Sequence, residues 1–169
     1  RIDNKYIMPG DKLQQAIESF GDLFDVLDIE GRRAFSYSTV YFDDEERRGY
    51  YDHHQRKRKR CKARIRTYVD ADLHFLEVKL NDRRSTTLKK RLRIDKPLTY
   101  LDATCLDFID ACNREVYDEP FRKTIRGVIH IQYQRYTLVA KQGGERMTID
   151  CRMSFTGDKS SCAPPEDCF

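Results

Sequence analysis

The stretch Arg60-Cys61-Lys62-Ala63-Arg64-Ile65-Arg66 alternates a cation with a small or apolar residue without a break. Side chains of a β-strand point to opposite faces in turn. This stretch therefore predicts a strand with Arg60, Lys62, Arg64 and Arg66 on one face and Cys61, Ala63 and Ile65 on the other. The same pattern recurs downstream. Phe75, Glu77 and Lys79 oppose Leu76, Val78 and Leu80, and Lys89, Arg91 and Arg93 oppose Leu88, Leu92 and Ile94. Further on, Arg146, Thr148, Asp150 and Arg152 oppose Met147, Ile149, Cys151 and Met153, while Arg135 shares a face with Tyr133 and Thr137.

The rest of the chain fits around these strands. Residues 1–8 alternate and are expected to form an opening strand, and Pro9-Gly10-Asp11 opens a helix reaching Phe20 through Leu13, Ala16 and Ile17. Residues 34–43 read as a strand and 45–55 as a short helix or ordered loop. Strands are expected over 60–69, 74–80 and 86–94, then a helix over 101–116. Strands over 128–140 and 146–155 flank a Gln142-Gly143-Gly144 hairpin turn. Residues 156–169, with Pro164-Pro165, read as an irregular tail. About six antiparallel strands and two main helices make an α+β chain, and its 169 residues are expected to form a single domain.

Composition narrows the function. Charged residues make up 36% of the chain, yet its 32 Lys and Arg against 28 Asp and Glu leave a net charge of only +4, so it is not a uniformly basic nucleic-acid coat. Eight of the eleven residues from 56 to 66 are cations and none is acidic. Ten Tyr and nine Phe exclude a disordered segment. No run approaches the roughly 18 apolar residues of a membrane span, and no signal peptide is evident. The six cysteines show no C-x-x-C pair or zinc-finger spacing, and are expected to be free thiols in a reducing compartment. Cys162 and Cys168 could pair in an oxidising one.

Two accounts fit the cationic faces. Each strand can have one core face and one solvated face, as antiparallel sheets commonly do. Alternatively, the strands close into a barrel with a charged lumen and an apolar outer face covered by helices. Like charges on neighbouring strands repel unless an anion offsets them. Carboxylates recur among them in Asp3-x-Lys5 and Glu77-x-Lys79. Cations with a few acids in one cavity suit a polyphosphate chain and a divalent metal, since Lys and Arg hold phosphate oxygens and a hard cation takes carboxylates.

At this point the chain resembles a known family. Arg1-Ile-Asp3-Asn-Lys5-Tyr6 is similar to the R-x-E-x-K-Y opening of the VTC (vacuolar transporter chaperone) domain, the polyphosphate-polymerase branch of the triphosphate tunnel metalloenzymes (CYTH-like). Matches follow in family order: 37–43 (YSTVYFD), Tyr51 with His54, 62–68 (KARIRTY), 75–79 (FLEVK), 88–91 (LKKR), Tyr133-Gln-Arg135 and 146–150 (RMTID). The resemblance spans residues 1 to about 155, and the ordered set is specific where each motif alone is weak.

The resemblance implies an antiparallel β-barrel forming a basic tunnel flanked by helices. The implied activity is an ATP-dependent polyphosphate polymerase, moving the γ-phosphate of ATP onto a growing inorganic polyphosphate chain with Mn²⁺ or Mg²⁺. Carried over residue by residue, Arg64, Arg66, Lys79, Arg135 and Arg146 become catalytic phosphate-binding groups. Lys5, Lys62, Lys89, Arg91 and His54 are further phosphate contacts, with Lys89 and Arg91 favoured over Lys90 by alternation. Glu77 and Asp3 become metal ligands. Tyr37, Tyr41 and Phe42 read as packing residues, and His53-His54 as surface or mouth positions. Asp3 stands where the family has Glu, and no late E-x-K strand follows residue 155, so the chain is expected to stop before the closing strand. The opening without Met likewise suggests a missing N-terminal segment.

Two other activities share the basic lumen: a triphosphatase of the same fold, and a non-catalytic module binding polyphosphate or inositol phosphates. The E-x-E-x-K opening of the hydrolases is absent, because Arg1 fills the first acidic position. Strict alternation over 60–66 disfavours a nucleic-acid patch. ATP and polyphosphate are the expected partners, with inositol phosphates or other subunits as regulators. The expected location is the cytoplasm, or the cytosolic face of a membrane complex.

Overall fold

A computed structural model describes residues 4–81, 86–121, 124–157 and 161–162. After a 3₁₀ turn over Gly10–Lys12 come α1 (Leu13–Phe20), β1 (Phe24–Val26), β2 (Ala34–Asp43) and α2 (Arg48–His54). Then follow β3 (Arg60–Tyr68), β4 (Leu73–Asn81), β5 (Thr87–Ile94), α3 (Ala103–Tyr117), β6 (Arg126–Ala140), β7 (Arg146–Gly157) and β8 (Ser161–Cys162). The hydrogen-bonded order is β5-β4-β3-β2-β6-β7-β8, with β1 on β6. The expected α+β antiparallel fold is present.

The chain divides into two compact units, residues 38–130 and residues 1–37 with 131–169. In the 38–130 unit, β3, β4 and β5 pair antiparallel in unbroken register, so that Arg64, Glu77 and Arg91 lie abreast. Their apolar face carries Ala63, Ile65, Leu76, Val78 and Leu80, all buried, and α3 packs on β4 and β5 through Cys105, Ile109 and Cys112. Burying a Val, Leu or Ile side chain stabilises by about 1.5–3 kcal/mol. Asp102 caps α3, its carboxylate accepting from the Cys105 amide at 2.9 Å. Gly127 on β6 admits a close approach: a Cβ there would meet the Thr99 carbonyl oxygen at 3.0 Å.

In the other unit, β1 pairs with β6 from Phe24 opposite Ala140 to Val26 opposite Leu138. Tyr133, Leu138 and Cys151 are its buried apolar residues on β6 and β7. Gly143 and Gly144 take the positive φ that the β6–β7 turn requires.

Three readings of the sequence change. Residues 4–8 form no strand although they alternate, and Tyr6 and Ile7 are each 83% exposed. Alternation describes a strand's two faces but cannot supply a pairing partner. The three-residue β1 carried too short a pattern to be read and depends on β6. The stretch read as an irregular tail extends β7 to Gly157 and contains β8, paired at Phe155–Cys162. Cys61, Cys105, Cys112 and Cys151 are free thiols. Cys168 lies outside the described residues. Among the described residues, no helix is long and apolar enough to cross a membrane.

Candidate functional site

Register converts three separate alternations into one surface. Lys62, Lys79 and Lys89 form one row across β3, β4 and β5; Arg64, Glu77 and Arg91 form the next; Arg66, Phe75 and Arg93 form a third. Directly opposite residues in adjacent antiparallel strands share a face, so seven cations and one carboxylate lie on the face away from α3.

Glu77 is fully buried at the centre. Its Oε2 accepts from Arg64 Nε at 2.7 Å and lies 2.6 Å from Arg64 Nη2. Its Oε1 lies 2.6 Å from Lys89 Nζ and accepts from Arg91 Nη2 at 3.2 Å. Burial pushes the Glu77 carboxyl up, but the Lys89 hydrogen bond, the Arg64 charge and hydrogen bond, and the Arg66 charge outweigh it and lower its pKa to about 2. Glu77 is thus an anchor that orders three cations.

The surrounding side chains fix the cations' directions. Arg64 Nη1 donates to the Tyr41 hydroxyl at 2.9 Å, and its guanidinium carbon lies 5.7 Å from that ring centre. Arg66 Nε donates to Thr39 Oγ1 at 3.4 Å, and Arg91 sits 4.9 Å over the Phe75 ring. Lys79 is exposed and forms no ion pair among the described residues. Desolvation first, then the Arg64 and Lys89 charges, lower its pKa despite the opposing pull of Glu77. Among these nine residues of the three rows, seven cations meet one carboxylate, an excess that an anion would relieve.

Lys90 points the other way: its Nζ lies 2.6 Å from Glu115 Oε1 on α3. The Lys89–Lys90 alternative therefore has a geometric answer, with Lys89 on the cationic face.

The other predicted residues are placed separately. Arg135 grips Asp150 with Nε at 2.5 Å and Nη2 at 2.7 Å, and lies over Tyr37 and Tyr133, whose rings stack at 5.1 Å. The Asp150 hydrogen bond raises its pKa further. Arg146 is exposed at the first position of β7, and Lys5 is exposed outside any strand. His54 ends α2, its ring stacked 6.2 Å from Tyr50. Asp3 lies outside the described residues.

Among the described residues, no group of three or more His, Cys, Asp or Glu is arranged to hold a metal ion. Glu77 already meets four cationic N–H donors at its two oxygens, so the described residues do not fit a resident divalent ion.

Several side chains at the site were given no contact by the sequence alone. Tyr41, read as packing, holds Arg64; Phe42 does pack in the core. Buried Asp43 shapes the approach to α2. Its Oδ1 accepts from the Asp44 and Gly49 amides at 2.9 and 2.8 Å, and its Oδ2 from the Tyr50 amide at 2.8 Å. The Tyr117 hydroxyl meets the backbone of Arg60 and Asn81, joining α3 to the start of β3 and the end of β4. Only the D-D-E-E run at 43–46 hinted at a helix-capping acid.

A sequence model of the VTC domain family matches residues 1–161. No curated protein matches the chain.

Proposed function

This chain belongs to the VTC domain family, and we propose that it is an ATP-dependent polyphosphate polymerase whose cationic face binds the phosphates. The family is linked to polyphosphate polymerase function. The single observation carrying this reading is the three-row surface of β3, β4 and β5, whose nine residues comprise seven cations, Phe75 and one carboxylate, Glu77.

In this reading Arg64, Arg66 and Lys79 neutralise the transferring phosphate oxygens, and Lys62, Lys89 and Arg91 hold neighbouring phosphates. Arg135 and Arg146 are assigned phosphate contacts in their own unit; Arg135 keeps N–H groups beyond the two that Asp150 uses. Phosphoryl transfer depends chiefly on positioning and charge neutralisation. The tethered Arg64, held by Glu77 and Tyr41, arrives preorganised. The terminal phosphate of the acceptor chain is already an anionic nucleophile and needs no strong general base. ATP enters with its own Mn²⁺ or Mg²⁺ as part of the substrate, and no step is assigned to a resident ion.

Glu77 also favours a second reading, a polyphosphate- or inositol-phosphate-binding module without turnover. A carboxylate saturated by cations orders a binding surface equally well. Incubating the purified chain with ATP and Mn²⁺ or Mg²⁺ separates the readings. Long-chain polyphosphate supports the polymerase, free phosphate alone marks a triphosphatase, and binding without turnover marks the module.

A further inference from the structure

The two oxygens of Glu77 are held differently. Oε2 meets Arg64 twice, through Nε at 2.7 Å and Nη2 at 2.6 Å, and Arg64 also donates to the Tyr41 hydroxyl. Arg64 is therefore fixed by two neighbours, and its side chain is only 14% exposed. Oε1 instead meets Lys89 at 2.6 Å and Arg91 at 3.2 Å, both from β5. Those two side chains are 37% and 45% exposed. The carboxylate thus has a fixed side toward β3 and a looser, wetter side toward β5. Lys and Arg each carry several donors, so Lys89 and Arg91 keep donors beyond those that face Glu77.

We propose that Glu77 is an internal counter-ion that competes with phosphate for the cations of this face. Binding hands Lys89 and Arg91 from Glu77 Oε1 to phosphate oxygens, while Arg64 stays on Oε2. The inference rests on the phosphate-binding reading of the face and adds to it a residue that stabilises the fold while lowering affinity. It also replaces the metal-ligand role that the resemblance implied for Glu77. A carboxylate that holds a metal strengthens phosphate binding through the ion, so its removal weakens binding. A counter-ion acts in the opposite sense. It repels the incoming anion and engages the same donors, so its removal strengthens binding.

The test measures tripolyphosphate affinity by calorimetry in EDTA and again with excess Mn²⁺. It compares wild type, Glu77→Gln and Glu77→Asp, with circular dichroism reporting the fold. Glu77→Gln should bind about tenfold more tightly than wild type in EDTA, and still more tightly than wild type with Mn²⁺. Glu77→Asp, which keeps the charge, should show no gain. Loss of Glu77 also weakens the fold, so thermal midpoints provide a second readout. Tripolyphosphate should raise the midpoint of Glu77→Gln by more than that of wild type, because it supplies the anion the variant lacks. It should likewise restore the circular dichroism of a variant that is unfolded without it. Equal or weaker binding by Glu77→Gln, an equal gain in Glu77→Asp, or wild-type binding that requires Mn²⁺ would overturn the counter-ion role. So would a Glu77→Gln chain that tripolyphosphate neither refolds nor stabilises beyond wild type. A wild-type chain that binds no tripolyphosphate in either condition would instead overturn the phosphate-binding reading of the whole face.

Discussion

Glu77 and Lys89 meet across the β4–β5 ladder, with Oε1 2.6 Å from Nζ and the carboxylate fully buried. Glu77 also pairs with Arg64, which is only 14% exposed, and removing one partner of a buried ion pair leaves the other uncompensated, which costs about 3–5 kcal/mol. Glu77→Gln should lower stability by an amount in that range, through the repulsion left among Arg64, Lys89 and Arg91. A urea midpoint equal to wild type would show that Glu77 is not the anchor.

The same carboxylate sets an acid limit. Its pKa falls from 4.5 to about 2 in the folded chain, a stabilisation on the order of 3 kcal/mol. Above about pH 4.5 Glu77 is ionised in both folded and unfolded chains, and the contribution is complete. It declines as pH falls through about 2. Urea titrations from pH 6 to acid should show that loss in the wild type, and Glu77→Gln should flatten it.

Lys79 should separate binding from stability. Its charge is opposed by desolvation and by Arg64 and Lys89, so Lys79→Met is expected to leave the urea midpoint unchanged or slightly raised. Polyphosphate affinity should fall about tenfold. Calorimetry giving wild-type affinity would remove Lys79 from the phosphate face.

Lys89 and Lys90 provide a paired control. Lys89 reaches Glu77, while Lys90 reaches Glu115 on α3. Lys89→Ala should weaken phosphate binding and Lys90→Ala should not, since Lys90 turns to Glu115 on the other face of the sheet. Equal effects on binding would sink the face assignment.

Tyr117 tests the junction between α3 and the β3–β4 ladder. Its hydroxyl accepts from the Arg60 and Asn81 amides, each at 3.2 Å. It lies 2.9 and 2.7 Å from their carbonyl oxygens. Tyr117→Phe removes those partners at one end of the β3–β4 ladder and should cost about 1–3 kcal/mol. Amide hydrogen exchange at Arg60 and Asn81 should accelerate; unchanged protection would contradict the bridging role.

Much of the fold could be read locally. The cation alternation in β3, β4 and β5 gave both faces, because a two-residue period needs only the strand itself. The same rule failed over residues 4–8, where a pattern existed without the expected strand, and it missed β1, whose three residues depend on β6. At the site, the cationic residues were visible one by one. The crowding around Glu77 was not, because Arg64 and Arg91 come from different strands and reach it only through register.

The sequence by itself determined that this chain builds antiparallel strands with cations segregated to one face, and its ordered motifs determined the family. Alternation and motif order are properties of contiguous residues. Only the tertiary structure decided that Glu77 is saturated by Arg64, Lys89 and Arg91, and that Lys90 turns to α3. Those outcomes depend on strand register and burial, which arise when segments far apart in the chain pack together.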